Sequence, residues 1–146
     1  MTMTANNTIG NKDFVETLIP QKKPFVMVDT LYSYSETELV SGFTIQNHAV
    51  FLKDNSFVES GIIEHMAQSV ALHTGYQFYL RKEQAPTGYI GSINKLEIKE
   101  LPQLHDEIRT TVTIIQEFGG VTLVDVVCKL NNVEIAKGQM KTVLAK

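Results

Sequence analysis

The sequence predicts an α+β domain in which one antiparallel sheet covers one long helix. Three observations favour this architecture. An apolar stretch of helical length reaches residue 80, several β-rich segments follow it, and Gly-Gly and Asn-Asn pairs separate the last of them. With 146 residues, of which 43% are hydrophobic and 20% charged, the chain has the size and composition of a single globular core.

The N-terminal part of the chain is expected to be peripheral. Residues 1–10 are polar and lack the apolar segment of a signal peptide, so we expect a frayed tail ahead of a single domain over residues 11–146. Residues 13–19, which end before Pro20, predict a short helix. The next predicted elements are a strand over 25–28 continued by 31–34, a hairpin turn at 35–37, a strand over 38–45 and a loop over 47–55.

The central helix is the clearest element of the sequence. Ser56 and Glu59 form a capping-box pattern, and the apolar residues that follow reach Leu80 and cover more than one face. Such a helix is surrounded by other elements, so we expect it at the centre of the domain. The strands predicted after it are 88–98, 107–116, 121–130 and 133–144, with hairpin turns at Gly119-Gly120 and Asn131-Asn132.

The connections between these elements select the fold. Short hairpins make the sheet antiparallel, and one sheet can bury a helix that is apolar on several sides only by wrapping around it. This arrangement is the hotdog fold. A cystatin-like sheet, which packs on one face of its helix, is the alternative, but its helix would keep a broader polar side.

Composition excludes several classes of function. A formal net charge of −3 leaves no basic surface for a phosphate backbone, so we expect no nucleic-acid partner. Cys128 is the single cysteine and no Cys/His spacing fits zinc, so we expect no metal site and a reducing, cytoplasmic location. The sequence contains no run of about 18 apolar residues, so it predicts no membrane span.

A polar stripe on the central helix is the best candidate for chemistry. Ser60, Glu64 and Gln68 are spaced by four residues and share one face in apolar surroundings. Either this stripe faces solvent, or hydrogen bonds hold Glu64 in a cavity. His65 lies about 100° around the helix from Glu64, so the two do not form a dyad. His48, in the loop before the helix, is the histidine that could approach a site from outside.

Two motifs carry a family resemblance. Residues 20–29 read PQKKPFVMVD, and residues 64–68 read EHMAQ. They resemble the P-H-R-x-P-F-L-L-V-D opening and the E-A-M-A-Q helix motif of hotdog 3-hydroxyacyl-[acyl-carrier-protein] dehydratases. Segments 88–97, 101–106 and 138–141 are similar to later parts of that family, so the likeness covers nearly the whole chain. The loop 47–55 and the helix motif look most like the dehydratase-like subgroup of aryl-polyene and related polyketide-lipid pathways.

The resemblance implies an activity and a set of site residues. Water would be eliminated from a 3-hydroxyacyl thioester carried on the phosphopantetheine of acyl carrier protein, with no cofactor bound by the enzyme itself. Glu64 would be the catalytic acid, and Ser60, Gly61 and Gln68 would bind substrate. The family's sites form between two subunits, so the resemblance also implies a homodimer or a heterodimer with a related hotdog subunit.

The base that the reaction requires is the open question of the sequence. The loop 47–55 lacks the H-F-P motif that supplies the family's histidine, and Gln21 replaces the histidine of the opening motif. Because a glutamine cannot act as a base at neutral pH, the base is His48, a partner's residue, or absent. Two alternatives therefore stay open: a half-catalytic or non-catalytic subunit of a heteromeric dehydratase, and a hotdog acyl thioesterase.

Overall fold

The computed structural model, which describes residues 8–145, has one six-stranded sheet wrapped around one long helix. The elements in chain order are α1 (Lys12–Leu18), β1 (Thr30–Tyr34), β2 (Glu38–Thr44), β3 (Leu52–Lys53), β4 (Ser56–Phe57), α2 (Glu59–Leu80), β5 (Gly88–Ile98), β6 (Glu107–Phe118), β7 (Val121–Leu130) and β8 (Val133–Leu144). The strand order is β1-β2-β6-β7-β8-β5, and all neighbours are antiparallel. Strands β3 and β4 form a separate two-stranded ladder.

The long hairpins follow the sequence prediction closely. Gly119 and Gly120 have φ angles of 61° and 82°, and Asn131 and Asn132 have φ angles of 51° and 66°. Two successive left-handed residues match the twist of a two-residue hairpin turn, and Gly and Asn adopt that conformation at least cost. Strands β5, β7 and β8 have the predicted bounds, while β6 extends beyond its predicted end to Phe118.

Helix α2 lies in the concave face of the sheet. Its buried residues point in several directions and include Ile62, Met66 and Leu72. The sheet contributes the other half of the core through Val112, Val124, Val126, Ile135 and Met140. The prediction of a central helix is therefore confirmed, and the one-sided packing of the cystatin-like alternative is not seen.

Helix α1 closes one side of α2. Gly75 permits this contact, because a Cβ atom at that position would collide with the carbonyl group of Leu18. Val15 and Leu18 are buried between the two helices and the rest of the core. The chain that leaves α1 is thereby held beside α2, where Ile19 to Gln21 line a pocket.

Three local predictions were wrong. Residues 25–28 are not a strand, because the backbone from Phe25 to Met27 bonds to side chains of α2 instead of a neighbouring strand. Ser56 is not a helix cap; it pairs with Lys53, and α2 begins at Glu59 without a side-chain cap. The predicted loop 47–55 contains β3.

The N-terminal segment is partly attached to the sheet. Ile9 and Gly10 donate hydrogen bonds to the carbonyl of Leu31 at 2.9 and 3.1 Å, and the Leu31 N–H donates to Gly10. The frayed tail predicted over residues 1–10 thus does not include Ile9 and Gly10, and its first seven residues lie outside the described range. Within that range, no helix is long and apolar enough to cross a membrane.

Candidate active site

Glu64 is held on α2 by the residue one turn further along. The Gln68 Nε2 atom donates to Glu64 Oε2 at 2.8 Å and to the carbonyl of Phe25 at 2.8 Å, while Gln68 Oε1 accepts from the Met27 N–H at 2.6 Å. Gln68 is fully buried and Glu64 is partly buried. The carboxylate therefore has a defined orientation at the edge of the core, next to the side chain that the sequence places on the same stripe of the helix.

His65 anchors the same segment from the neighbouring face of the helix. Its Nδ1 atom lies 2.6 Å from the carbonyl of Met27, and its Nε2 atom lies 2.8 Å from the hydroxyl of Thr110. Since a carbonyl can only accept, Nδ1 carries the proton and the hydroxyl of Thr110 donates to Nε2. Burial lowers the pKa of His65 to about 4, so the ring is neutral at pH 7.

Together, Gln68 and His65 form a clamp on the backbone of residues 25–27, which we call the α2 clamp. The clamp satisfies the N–H and the carbonyl of Met27 with side chains, in a segment that has no strand neighbour there. Sequence reasoning missed the role of His65. The sequence signal for such a role was a histidine on a buried face of the helix. Its partners, Met27 and Thr110, lie 38 and 45 residues away in the chain, so the local pattern did not contain them.

His48 lies at another place in the fold. It is exposed, and its ring contacts Asn47 at 3.4 Å. It lines a cavity of about 450 Å³ with Asp29, Lys23 and Phe43, and Glu64 is not among the lining residues. Within one chain, the structure therefore does not bring the predicted acid and the candidate base together.

The other two histidines are not candidates for the base. His73 is buried and its Nε2 atom bonds the carbonyl of Ser35 at 3.0 Å. Burial lowers the pKa of His73. His105 is exposed in the turn between β5 and β6, with a φ angle of 75°. All four histidines of the chain lie in the described range, and none of them hydrogen-bonds to Glu64.

The start of α2 offers backbone donors near the predicted substrate residues. Gly61 and Ile62 donate to the carbonyl of Val58, whereas the N–H groups of Glu59 and Ser60 have no acceptor among the described residues. Ser60 is exposed. Gly61 is buried, and a Cβ atom there would lie 2.7 Å from atoms of Phe51 and Phe57. The substrate roles of Ser60, Gly61 and Gln68 stay predictions.

Asp29 is a charged group in the His48 cavity that the sequence reasoning did not single out. Its carboxylate accepts hydrogen bonds from the Thr44 N–H at 2.9 Å and from the Thr30 hydroxyl at 2.7 Å. Burial raises the pKa of this carboxyl group, against the opposing effect of the two hydrogen bonds. Asp29 thus joins β1 to the end of β2 and forms part of the cavity wall.

The described residues contain no group of three or more His, Cys, Asp or Glu side chains that could hold a metal ion. Cys128 is buried in β7, and burial raises its pKa to about 11.

The chain is similar to known proteins in both sequence and fold. The chain is 25% identical to the 3-hydroxyacyl-[acyl-carrier-protein] dehydratase FabZ of Vibrio cholerae, over 97% of this chain and 95% of that protein. The dehydratase heterocomplex ApeI:P of Xenorhabdus doucetiae contains a chain that superposes with a TM-score of 0.84 at 14% identity, covering 90% of this chain and 91% of the other.

A third similar protein superposes over the whole length of the chain. The HP0420 homologue of Helicobacter felis superposes with a TM-score of 0.70 at 13% identity, covering 100% of this chain and 98% of that one. These structures confirm the hotdog fold. The sequence model of the ApeP-like family, described as ApeP dehydratase, matches residues 14–145. The chain therefore belongs to the ApeP-like dehydratase family.

Proposed function

We propose that the chain takes part in removing water from 3-hydroxyacyl thioesters on acyl carrier protein, giving trans-2-enoyl thioesters. The observation that carries this proposal is Glu64, a partly buried carboxylate oriented by Gln68 at 2.8 Å within the family's helix motif. Family membership and the FabZ relative support the same reaction. The substrate arrives on the phosphopantetheine arm, and we expect no cofactor bound by the protein itself.

Elimination needs an acid, a base and a way to hold the developing charge on the thioester oxygen. In this proposal the carboxyl group of Glu64, in its acid form, donates its proton to the departing C3 hydroxyl, which leaves as water as the C3–O bond breaks, while a base removes the proton from C2. The electrons of the C2–H bond form the new double bond. The free N–H groups of Glu59 and Ser60 are suited to hydrogen-bond the thioester oxygen, at the positive end of the helix dipole.

We propose that a second subunit completes the site. Strand β5 lies at the edge of the sheet, and most of its length is exposed, including the apolar side chains of Tyr89, Ile90, Ile93 and Leu96. A long apolar edge strand is normally paired or covered in a native protein. If a second hotdog subunit pairs with β5, its residues come close to the side of α2 that faces β5.

Two forms of the dimer follow from the position of the histidines. In a homodimer, His48 of one copy would serve Glu64 of the other. In a heterodimer, this chain supplies the acid and a related hotdog subunit supplies the base. No histidine of this chain hydrogen-bonds to Glu64, and Gln21 replaces the histidine of the family's opening motif. Both facts favour the heterodimer, and the similar chain in the ApeI:P heterocomplex supports it.

The first experiment tests Glu64 in the chemical step. The chain is assayed with a 3-hydroxyacyl thioester on acyl carrier protein, alone and mixed with a related hotdog subunit encoded beside it. Glu64→Gln should lower kcat by about 100-fold or more, the scale of a lost general acid. Glu100→Gln, an exposed carboxylate in the turn after β5, is the matched control and should leave kcat unchanged. Unchanged turnover in Glu64→Gln would remove Glu64 from the mechanism.

The same assay separates the remaining possibilities. Full activity of the chain alone excludes the heterodimer, and in that case loss of activity in His48→Gln assigns the base. Activity that appears only in the mixture, and is lost with Glu64→Gln, supports the shared site. Mass spectrometry of the product distinguishes dehydration from thioester hydrolysis, since the second reaction releases a free acid.

A further inference from the structure

A buried hydrogen bond joins the α2 clamp to the sheet. The hydroxyl of Thr110, on β6, donates to the Nε2 atom of His65 at 2.8 Å, and both residues are fully buried. The Nδ1 atom of the same ring lies 2.6 Å from the carbonyl of Met27. Because the ring accepts at one nitrogen and donates at the other, it connects the sheet, the helix and the backbone of residues 25–27.

The ring of His65 is also held by its packing. Phe43, on β2, stacks on it with the ring centroids 6.1 Å apart and an angle of 25° between the planes. A rotation of the ring would leave both of its nitrogens unpaired in a fully buried place, which costs far more than the bonds contribute. The position of Met27 relative to the sheet therefore depends on the bond between Thr110 and His65.

Met27 in turn fixes the side-chain amide of Gln68. Gln68 Oε1 accepts from the Met27 N–H at 2.6 Å. Both hydrogens of Gln68 Nε2 are used, one by the carbonyl of Phe25 and one by Glu64 Oε2, each at 2.8 Å. If the amide turned over, its NH₂ group would face the Met27 N–H, a donor against a donor. The amide therefore has one favourable orientation as long as Met27 stays in place.

This orientation decides which oxygen of Glu64 carries the proton. Because Oε2 accepts from Gln68, the acid form of the carboxyl group keeps its hydrogen on Oε1, the oxygen that is left for the substrate. An amide released from Met27 would turn its own oxygen toward Glu64 and accept that hydrogen, in competition with the departing hydroxyl of the substrate. Displacement of Met27 would thus impair proton transfer and leave substrate binding intact.

We propose that Thr110 and His65 are positioning residues for proton donation by Glu64. The inference rests on the proposed function, in which Glu64 is the acid. Thr110 holds His65, and His65 holds Met27. Through Met27 this link reaches the Gln68 amide, which orients Glu64. Loss of the link should lower kcat at unchanged KM, because the proton is transferred only in the transition state.

The kinetics of Thr110→Val test the link. Valine has nearly the volume of threonine but no hydroxyl, so the variant removes the bond to His65 without opening a large cavity. It is assayed with the 3-hydroxyacyl thioester in whichever form of the protein is active, alone or with the related hotdog subunit. We expect kcat to fall about 10-fold or more, the scale of a misplaced catalytic group. Thr110→Ser, which keeps the hydroxyl, should retain most of the native kcat.

Ser41→Ala is the matched control. The hydroxyl of Ser41, on β2, bonds the hydroxyl of Ser69, on α2, at 2.7 Å, and both residues are fully buried. Like Thr110→Val, this variant removes one buried hydrogen bond between the sheet and α2, but that bond does not involve residues 25–27. The two variants should lose similar stability to urea, whereas Ser41→Ala should keep the native kcat. An equal fall of kcat in both would overturn the proposal, since it would indicate a general loosening of the core.

A double variant tests whether Thr110 acts through His65. His65→Ala removes both bonds of the ring and should lower kcat at least as much as Thr110→Val. If Thr110→Val does not fold, His65→Ala compared with Ser41→Ala makes the same test. In the combined variant kcat should equal that of His65→Ala, because the bond that Thr110→Val removes is already lost. Two effects that multiply would overturn the link, and so would a native kcat in Thr110→Val.

A measurement without turnover separates this inference from the proposed function. The side-chain amide signals of Gln68 in ¹H–¹⁵N NMR report its hydrogen bonds, and they should shift in Thr110→Val but not in Ser41→Ala. If the native protein dehydrates no substrate in either form, the proposed function fails. A shift then still upholds the link from Thr110 to Gln68, and unchanged signals overturn it. A native protein that is active, with the same kcat in Thr110→Val, keeps the function and overturns the link.

Discussion

Replacing Gln68 with leucine tests the α2 clamp directly. Leucine has a similar volume and an equally good helix propensity, so the substitution removes hydrogen bonds without opening a large cavity or weakening the helix. Three hydrogen bonds are lost: those to the Met27 N–H, to the Phe25 carbonyl and to Glu64. The Met27 N–H is the most serious of these losses, because it is left in a buried place without an acceptor.

The expected magnitude follows from these contacts. A buried donor left unpaired costs about 1–3 kcal/mol, and each of the two partly buried bonds contributes about 0.5–1.5 kcal/mol. Burial of the apolar leucine side chain offsets part of this loss. We therefore expect Gln68→Leu to lower the free energy of unfolding by roughly 2–4 kcal/mol.

Urea unfolding followed by far-ultraviolet circular dichroism measures this change. The chain has no tryptophan, so the helix signal is the better probe, and both proteins are compared at one concentration because association adds to apparent stability. Gln116→Leu, on the exposed part of β6, is the control. A loss below about 0.5 kcal/mol, the usual range of surface substitutions, would refute the idea that Gln68 holds the segment.

Two further predictions concern acid stability and assembly. The pKa of His65 is about 4 in the folded chain against 6.5 ordinarily, so the unfolded chain binds the proton first and stability is lost as the pH falls from about 6.5 to 4. His65→Gln lacks this ring, so the stability advantage of the native chain over the variant should fall by about 3 kcal/mol between pH 6.5 and pH 4. If that difference does not change with pH, His65 is not a buried neutral ring. In the dimer, formed by the chain alone or with the related hotdog subunit, Ile93→Glu on β5 should reduce the sedimentation coefficient to that of a single chain, whereas Val133→Glu, exposed at the β7–β8 turn, should leave it unchanged. Equal coefficients for the two variants would exclude the β5 edge as the interface.

The parts of the fold that the sequence predicts well are those with local causes. The turns at Gly119-Gly120 and Asn131-Asn132 set both ends of β7 and the start of β8, since few other residues accept two successive left-handed conformations. The bond between Glu64 and Gln68 is equally local, because residues four apart on a helix are neighbours. These features need no knowledge of the tertiary structure.

The errors arise where distant groups compete with local preference. Residues 25–28 have a β-rich composition, but the α2 clamp takes the hydrogen bonds that a neighbouring strand would have supplied. Ser56 has the spacing of a helix cap, yet it pairs with Lys53 and accepts a hydrogen bond from Gln103 at 2.9 Å. The side chains of α2 and of Gln103 are tertiary partners that the local pattern does not contain, whereas the pairing of Ser56 with Lys53 is a local hairpin contact.

The attachment of Met27 at both its N–H and its carbonyl has a mechanical consequence. The two peptide groups that flank Met27 are each held by a buried hydrogen bond, so neither can rotate without breaking a bond that water is not available to replace. One side of residues 25–27 forms a wall of the His48 cavity, and the other side contacts Gln68, which orients Glu64. Residues 25–27 therefore act as a stiff partition, and a molecule that fills the cavity has to fit the partition's shape rather than deform it.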